Sequence, residues 1–214
     1  MKLPHRTVYD GHHTTMRYSA KHKATSHAKL LKKASEQFRG QGVQGIGIAK
    51  LMGQIGLTHG GFYAHFENKN DLVAAALAKM FDEISTYMRA AVESAADGKY
   101  VSAIVNAYLS EDHRDHPKRG CPVAALSSEI ARQPPPVRQG YTRGFNGLVR
   151  MMARYLIGAN EGGRCHRARL LLAGMAGNMM IARAVSDRDL SNMILAQARE
   201  FYICAFESAP PKSG

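Results

Sequence analysis

Apolar residues recur at helical spacing along most of the chain. From Thr25 and Ser26, candidate helix caps, Leu30, Ala34 and Phe38 fall every four residues and make one apolar face, which Gly40 and Gly42 stop. Ile48, Leu51 and Ile55 predict a second, short helix that starts at Gly47 and ends at Gly56. Leu57 plugs the turn, Thr58 caps a third helix, and Phe62 with Phe66 keep its inner side apolar. Two short helices across a tight glycine-containing turn spell a helix-turn-helix.

A long apolar-rich helix is predicted from Asp71 to Ala96 through Leu72, Ala76, Met80 and Ile84, closed by Asp97-Gly98. Tyr100 to Leu109 reads as the next helix, and Ser110 to Gly120 as a charged connector. Cys121-Pro122 opens another, with proline at the tolerated first turn, and Gln133-Pro134-Pro135-Pro136 ends it. Val137 to Ile157 is amphipathic, Gly158 to Gly163 a loop, and helices follow over about Cys165 to Val185 and Asp189 to Glu207. No stretch alternates polar and apolar residues over strand length, so the fold expected is all-α. Four segments result: a flexible basic tail over 1–24, a helix-turn-helix unit over 25–70, a larger helical unit over 71–209, and a short tail over 210–214. Met16 is an internal methionine near the start of the ordered pattern and a candidate native start; an intact mass from the native host would decide it.

Charge changes this picture. The 214 residues carry a formal +12, and +8 of it lies in residues 1–80, along with seven of the ten histidines. That distribution rules out an acidic solvating chain and suits an electrostatic footprint for a polyanion. The most apolar stretch, Leu170 to Ala182, is broken by Gly174, Gly177 and Asn178, so no membrane span is expected. The N-terminus lacks the apolar core of a secretion signal, and a cytoplasmic location is expected. Cys121, Cys165 and Cys204 form no CxxC or Cys/His pattern, and His5, His12, His13 and His22 are irregularly spaced. Free thiols, no metal and no cofactor follow as expectations.

The chemistry concentrates in Gly56-Leu57-Thr58-His59-Gly60-Gly61-Phe62-Tyr63-Ala64-His65-Phe66. With Phe62 and Phe66 inward, His59, Gly60 and the Ala64/His65 edge turn outward. Adjacent glycines in a helix each cost about 1 kcal/mol relative to alanine. A helix entering a major groove supplies a reason for them, because missing side chains let its backbone approach bases and phosphates. Thr58 and the first-turn amides are phosphate donors, and Tyr63 and Lys69 are backbone anchors. Tyr63 as a plain packed aromatic, and the glycines as aids to tight helix crossing, form the competing reading.

These residues resemble the TetR-type bacterial transcriptional regulators. The resemblance spans roughly Lys29 to Leu77 and rests on G-hydrophobic-T-x-G-G-F-Y-x-H-F followed by Asn68-Lys69-Asn70-Asp71-Leu72. It implies that Thr58, His59, Gly60, Gly61, Tyr63 and His65 lie on or beside a recognition helix, and that Lys69 takes a phosphate. Many members cap their second helix with Ser or Thr near Ile46 and Gly47; here Gly45-Ile46-Gly47-Ile48 leaves backbone amides to meet phosphate. Gly45 to Phe66, with Gly120-Cys121-Pro122-Val123-Ala124-Ala125-Leu126 later, is similar to one sub-branch. The resemblance also implies a homodimer built on the last two large helices. Leu171, Met175, Met179 and Ala182 on one, and Ile194, Ala198, Phe201 and Ala205 on the other, are the stripes the resemblance assigns to that interface; spacing alone favours a plain core.

An effector site is a candidate in the larger unit around Tyr108, Phe145, Met152, Met175 and Met179, since Met-rich linings suit hydrophobic ligands, although each residue taken singly reads more readily as core. Cys121, at a helix start beside Lys118 and Arg119, is expected to have a lowered pKa and is a candidate sensor of oxidants or electrophiles; an inert packed cysteine is the competing reading. The function expected is a DNA-binding repressor of a pseudo-palindromic, double-stranded operator, released by a small hydrophobic or electrophilic effector. A ligand-binding or scaffold protein without operator binding is the alternative. An enzyme using Cys121 with His113 or His116 would lack any accompanying oxyanion or cofactor motif, and none is expected.

Overall fold

The computed structural model describes residues 12–207, and every regular element among them is helical. In chain order these are α1 (His12–Gln41), α2 (Ile48–Gly53), a 3-10 turn (Gly60–Ala64), α3 (Lys69–Glu93), α4 (Tyr100–Tyr108), α5 (Glu111–Asp115), a 3-10 turn (Pro117–Arg119), α6 (Pro122–Ile130), α7 (Pro135–Ala153), α8 (Glu161–Ala184) and α9 (Arg188–Glu207). No helix among the described residues is long and apolar enough to cross a membrane.

α3 is the spine. Its N-terminal half contributes Leu72, Val73, Ala76, Leu77 and Met80 to a cluster with Leu30, Ala34 and Phe38 of α1, Leu51 and Met52 of α2, and Phe62 and Phe66. Its C-terminal half places Phe81, Ile84, Met88 and Val92 in a second cluster with α4 and α7 to α9. A unit boundary at residue 70 therefore falls at the start of a helix that serves both cores. Leu126 and Ile130 of α6 and Val137 of α7 also enter the first cluster, so the larger unit reaches into the smaller. Asn68 caps α3: its Oδ1 accepts from Asp71 N at 3.1 Å, and its Nδ2 donates to the Asp71 carboxylate at 2.9 Å.

Three expectations change. Residues 12–24 belong to α1, not to a flexible tail, and Thr25 and Ser26 stand inside that helix. No proline or glycine intervenes between His12 and the packed turns at Leu30, so the helix extends backward from them with no apolar period to announce it. Residues 1–11 with His5, and the tail at 210–214, lie outside the described residues. The third helix shortens to one 3-10 turn, as the glycine pair's poor helix propensity favours. The stripe assigned to a dimer interface on α8, Leu171, Met175, Met179 and Ala182, is wholly buried within one protomer, as is Ala198 on α9. α8 carries apolar residues on more than one face, and spacing picks out its core face. Outward stand Leu170, Met180 and Ile181 on α8, and Leu190, Met193 and Phe201 on α9.

α7 crosses α3 where Gly144 lies directly on the Phe81 ring, leaving no room for a Cβ. Gly144→Ala is expected to destabilise the chain by about 2 kcal/mol, lowering the midpoint of thermal unfolding by several degrees. Gly147→Ala is the control in the same circular-dichroism melts. Its Cβ would meet nothing within 4 Å, and its midpoint should hold or rise.

Candidate functional site

The segment from Gly56 to Phe66 turns one side into the first cluster and leaves the other bare. Gly56, at φ +73°, makes the turn after α2, and Leu57 N donates back to Met52 O at 3.0 Å. Thr58 Oγ1 accepts from Gly61 N at 3.2 Å, which opens the 3-10 turn and leaves the hydroxyl hydrogen free to donate. Phe62 is fully buried and Phe66 nearly so, as their spacing predicts. Tyr63, on the opposite side, is 61% exposed, with its ring edge against the exposed His59 at 6.0 Å.

The glycines separate by what the fold asks of them. A Cβ on Gly60 or Gly47 would meet no atom within 4 Å, and one on Gly61 would make only ordinary contact with Thr58 and Met52. Close helix crossing therefore explains none of the three. Gly45 is different, because its Cβ would fall on the Gln41 carbonyl, which gives it a folding role. Gly47 caps α2 in an extended conformation with no side-chain cap.

His65 departs from the outward edge expected for it. It is half-buried, its ring tilts against His27 of α1 at 5.7 Å, and its Nδ1 is buried without a partner. Burial first, then the neighbouring His27 and Lys23, holds its pKa below the usual histidine value. His27, which no motif singles out, also stacks on Phe66 at 4.9 Å. Lys69 is likewise engaged: its Nζ donates to Ile46 O at 2.9 Å and so braces the linker before α2. Two ammonium hydrogens remain for a phosphate.

In the larger unit, Cys121, Tyr108, Met152, Met175 and Met179 come together in one cluster, each with no exposed surface, while Phe145 packs half-buried at its margin against Tyr141. Cys121 does stand at the start of α6, but its expected acidity is reversed. Burial pushes the thiol pKa up, and this outweighs the Tyr108 hydroxyl, the Val123 and Ala124 amides and the Arg183 guanidinium, which all pull it down. Lys118 and Arg119 do not supply the field, since both are exposed and Lys118 lies over Gly40. Beside the thiol, the fully buried Tyr108 hydroxyl closes no well-formed hydrogen bond.

His113 stands within this core instead of in a polar connector. Its Nδ1 lies 2.6 Å from Tyr108 O and its Nε2 2.9 Å from Cys121 N. A carbonyl only accepts and an amide only donates, so the ring is neutral with its proton on Nδ1. Its Nε2 is spent on the Cys121 backbone, and the exposed His116 pairs with Asp112, so neither histidine serves as a base for the thiol. Among the described residues no cluster of His, Cys, Asp and Glu is placed to hold a metal ion.

Two family descriptions match the chain at these units. "Bacterial regulatory proteins, tetR family" covers residues 30–76, and "Tetracyclin repressor-like, C-terminal domain" covers residues 99–198. The chain belongs to the TetR family. It is accordingly a transcriptional regulator with a helix-turn-helix DNA-binding unit and a ligand-binding C-terminal unit, and not an enzyme. No curated protein matches it by sequence. Among solved structures, the reduced form of Escherichia coli NemR is similar at a TM-score of 0.72 and 17% identity, over 87% of this chain and 99% of that one. A TetR-family regulator from Cytophaga hutchinsonii gives 0.72 and 18% identity over 88% and 98%. SCO4454 from Streptomyces coelicolor gives 0.68 and 22% over 86% and 97%. Within the TetR fold, the bare edge of His59, Gly60 and Tyr63 belongs to the DNA-binding unit.

Proposed function

We propose that this TetR-family chain is a repressor that reads a pseudo-palindromic operator as a homodimer, through Thr58, His59, Gly60, Gly61 and Tyr63, with Gly47 and Lys69 at its margin. The observation that carries the reading is the pair Gly60 and Gly61, exposed and half-buried, which the protomer's own packing does not need. A surface kept free of side chains at an entropic cost fits close approach to base edges. The apolar residues left outside on α8 and α9 support a second copy as the partner, and two-fold symmetry then places two reading edges on successive groove faces.

The effector in this reading is a small hydrophobic or electrophilic molecule that reaches the cluster around Cys121 and Tyr108. Because the thiol is buried and neutral, an electrophile must first catch an opened core. Adduct formation then holds the opened arrangement, which binds DNA less well. Footprinting the purified chain on DNA upstream of its own gene tests the whole. Two protected half-sites about one helical turn apart are expected, with affinity falling steeply as salt rises. N-ethylmaleimide should release the wild type and not Cys121→Ser. Absence of any footprint removes operator reading, and equal release of both proteins removes the thiol.

A further inference from the structure

We propose that Glu129 is a positioning residue for DNA binding: from the last turn of α6 it holds the linker between α1 and α2 in the shape from which the reading edge meets DNA. This rests on the function proposed above. Residues 42–47 form that linker, and two of its consecutive main-chain amides are taken by one carboxylate. Glu129 Oε2 accepts from Val43 N and Oε1 from Gln44 N, each at 2.8 Å. Charge-assisted bonds of this length are among the stronger ones a backbone amide makes. The linker is shaped around the carboxylate: Gly42 sits at φ +77°, and a Cβ there would stand 2.6 Å from Oε2. Beneath the clamp, Val43 and Ile46 are buried in the first cluster with Leu126 and Ile130 of α6.

The grip has further points. Lys69 Nζ holds Ile46 O, so a carboxylate from α6 and an ammonium from α3 fix the two ends of the linker. Before α6, Gly120 O accepts from Arg39 Nη1 at 3.3 Å, and the buried Arg39 also pairs with Glu83 at 2.8 Å. Burial alone would raise the Glu83 carboxyl; hydrogen bonds from Lys79 and Arg39 hold it below its ordinary value, and charged. Past the linker, α2 passes the position on to the reading edge, through Leu57 N on Met52 O and Met52 against Gly61. One nine-residue helix thus has Cys121 as its cap and Glu129 near its end. A displacement at the Cys121 end reaches the linker through a single rigid element.

Full-length Glu129→Gln tests this. Glutamine keeps the volume but offers a single acceptor oxygen, so one of the two amides loses its partner. In the DNA-free protein, hydrogen exchange at Val43 or Gln44 should speed about tenfold or more, with amides of α7 and α9 unchanged. Affinity for the footprinted operator should fall by about tenfold, while the slope of log affinity against log salt stays as in the wild type, because no phosphate contact is removed. Glu129→Ala, which removes both acceptors, should enlarge both effects. Unchanged exchange at residues 43 and 44 overturns the proposal, as does faster exchange with unaltered operator affinity. Exchange that rises equally in α7 and α9 also overturns it, by reducing Glu129 to general stability. If the wild type binds no DNA, the functional reading itself fails, and the exchange arm, which needs no DNA, tells that failure apart.

Discussion

Between pH 7 and pH 4 the chain is expected to lose about 3 kcal/mol of folding stability through His113 alone. Burial, helped by the Arg183 guanidinium and opposed by the bond to Tyr108 O, lowers its pKa from 6.5 to about 4. The unfolded chain therefore takes up a proton near pH 6.5 that the folded chain refuses until about pH 4. Over that window the unfolded state binds more protons, so stability rises with pH and falls as acid is added. Above pH 6.5 the contribution is complete, and below pH 4 no more is lost. His65, whose pKa is also lowered, acts in the same direction. Asp115, held low by Arg188 and Arg114, begins to matter only at more acid pH. Urea unfolding at fixed protein concentration and stepped pH measures the loss. His113→Gln can still accept from Cys121 N and cannot titrate; it should start less stable and show a flatter profile. Parallel profiles for the two proteins would sink the assignment.

Burial is what the sequence could not reveal about His113. In the chain it stands among Glu111, Asp112, Arg114 and Asp115, and every local cue says solvent. The fold turns this short stretch so that His113 and Arg114 face inward, with Arg114 satisfied by Ser191 and Asn192 of α9, far along the chain. Arg39 and Glu129 were hidden for the same reason, since their partners lie 44 to 86 residues away. Periodicity reports which face of a helix is apolar and not what a polar side chain meets across the core. On α8 the spacing of Leu171, Met175, Met179 and Ala182 marks the core face, and it was the resemblance that assigned this stripe to an interface.

Where the cue is local, the reading carried through. Phe62 and Phe66 point inward because four residues separate them and the chain between is helical enough to keep the phase. Pro122 opens α6 because its missing amide hydrogen is one the first turn does not use. The proposed reading edge stands out in the sequence for another reason: a run of residues that local propensity disfavours. Glycine pairs are poor helix formers, and their cost marked the place where the fold's interest and another interest diverge.

Gly60→Leu is expected to leave folding intact and to weaken operator binding by about tenfold to a hundredfold. Gly60 is exposed, its Cβ would meet nothing within 4 Å, and its φ is not positive, so the free protein places no demand for glycine there. Helix propensity alone favours the replacement by several tenths of a kcal/mol or more. The thermal midpoint should therefore hold or rise. In the proposed interface the same side chain would enter the gap flanked by His59 and Tyr63, where a backbone pressed on base edges would leave no space for a branched four-carbon group. Overpacking at such a contact costs about 1–3 kcal/mol, which sets the stated loss. Because leucine removes no charge, affinity should fall by the same factor at every salt concentration, with the salt slope unchanged. Gly60→Ala should fall between leucine and wild type, since a methyl group fills less of the gap. Fluorescence anisotropy on the footprinted operator, paired with melts of the free proteins, separates the two demands on this residue. If Gly60→Leu binds as tightly as wild type, the reading edge does not face DNA there. Loss of binding together with a lowered midpoint would return the glycine to the fold.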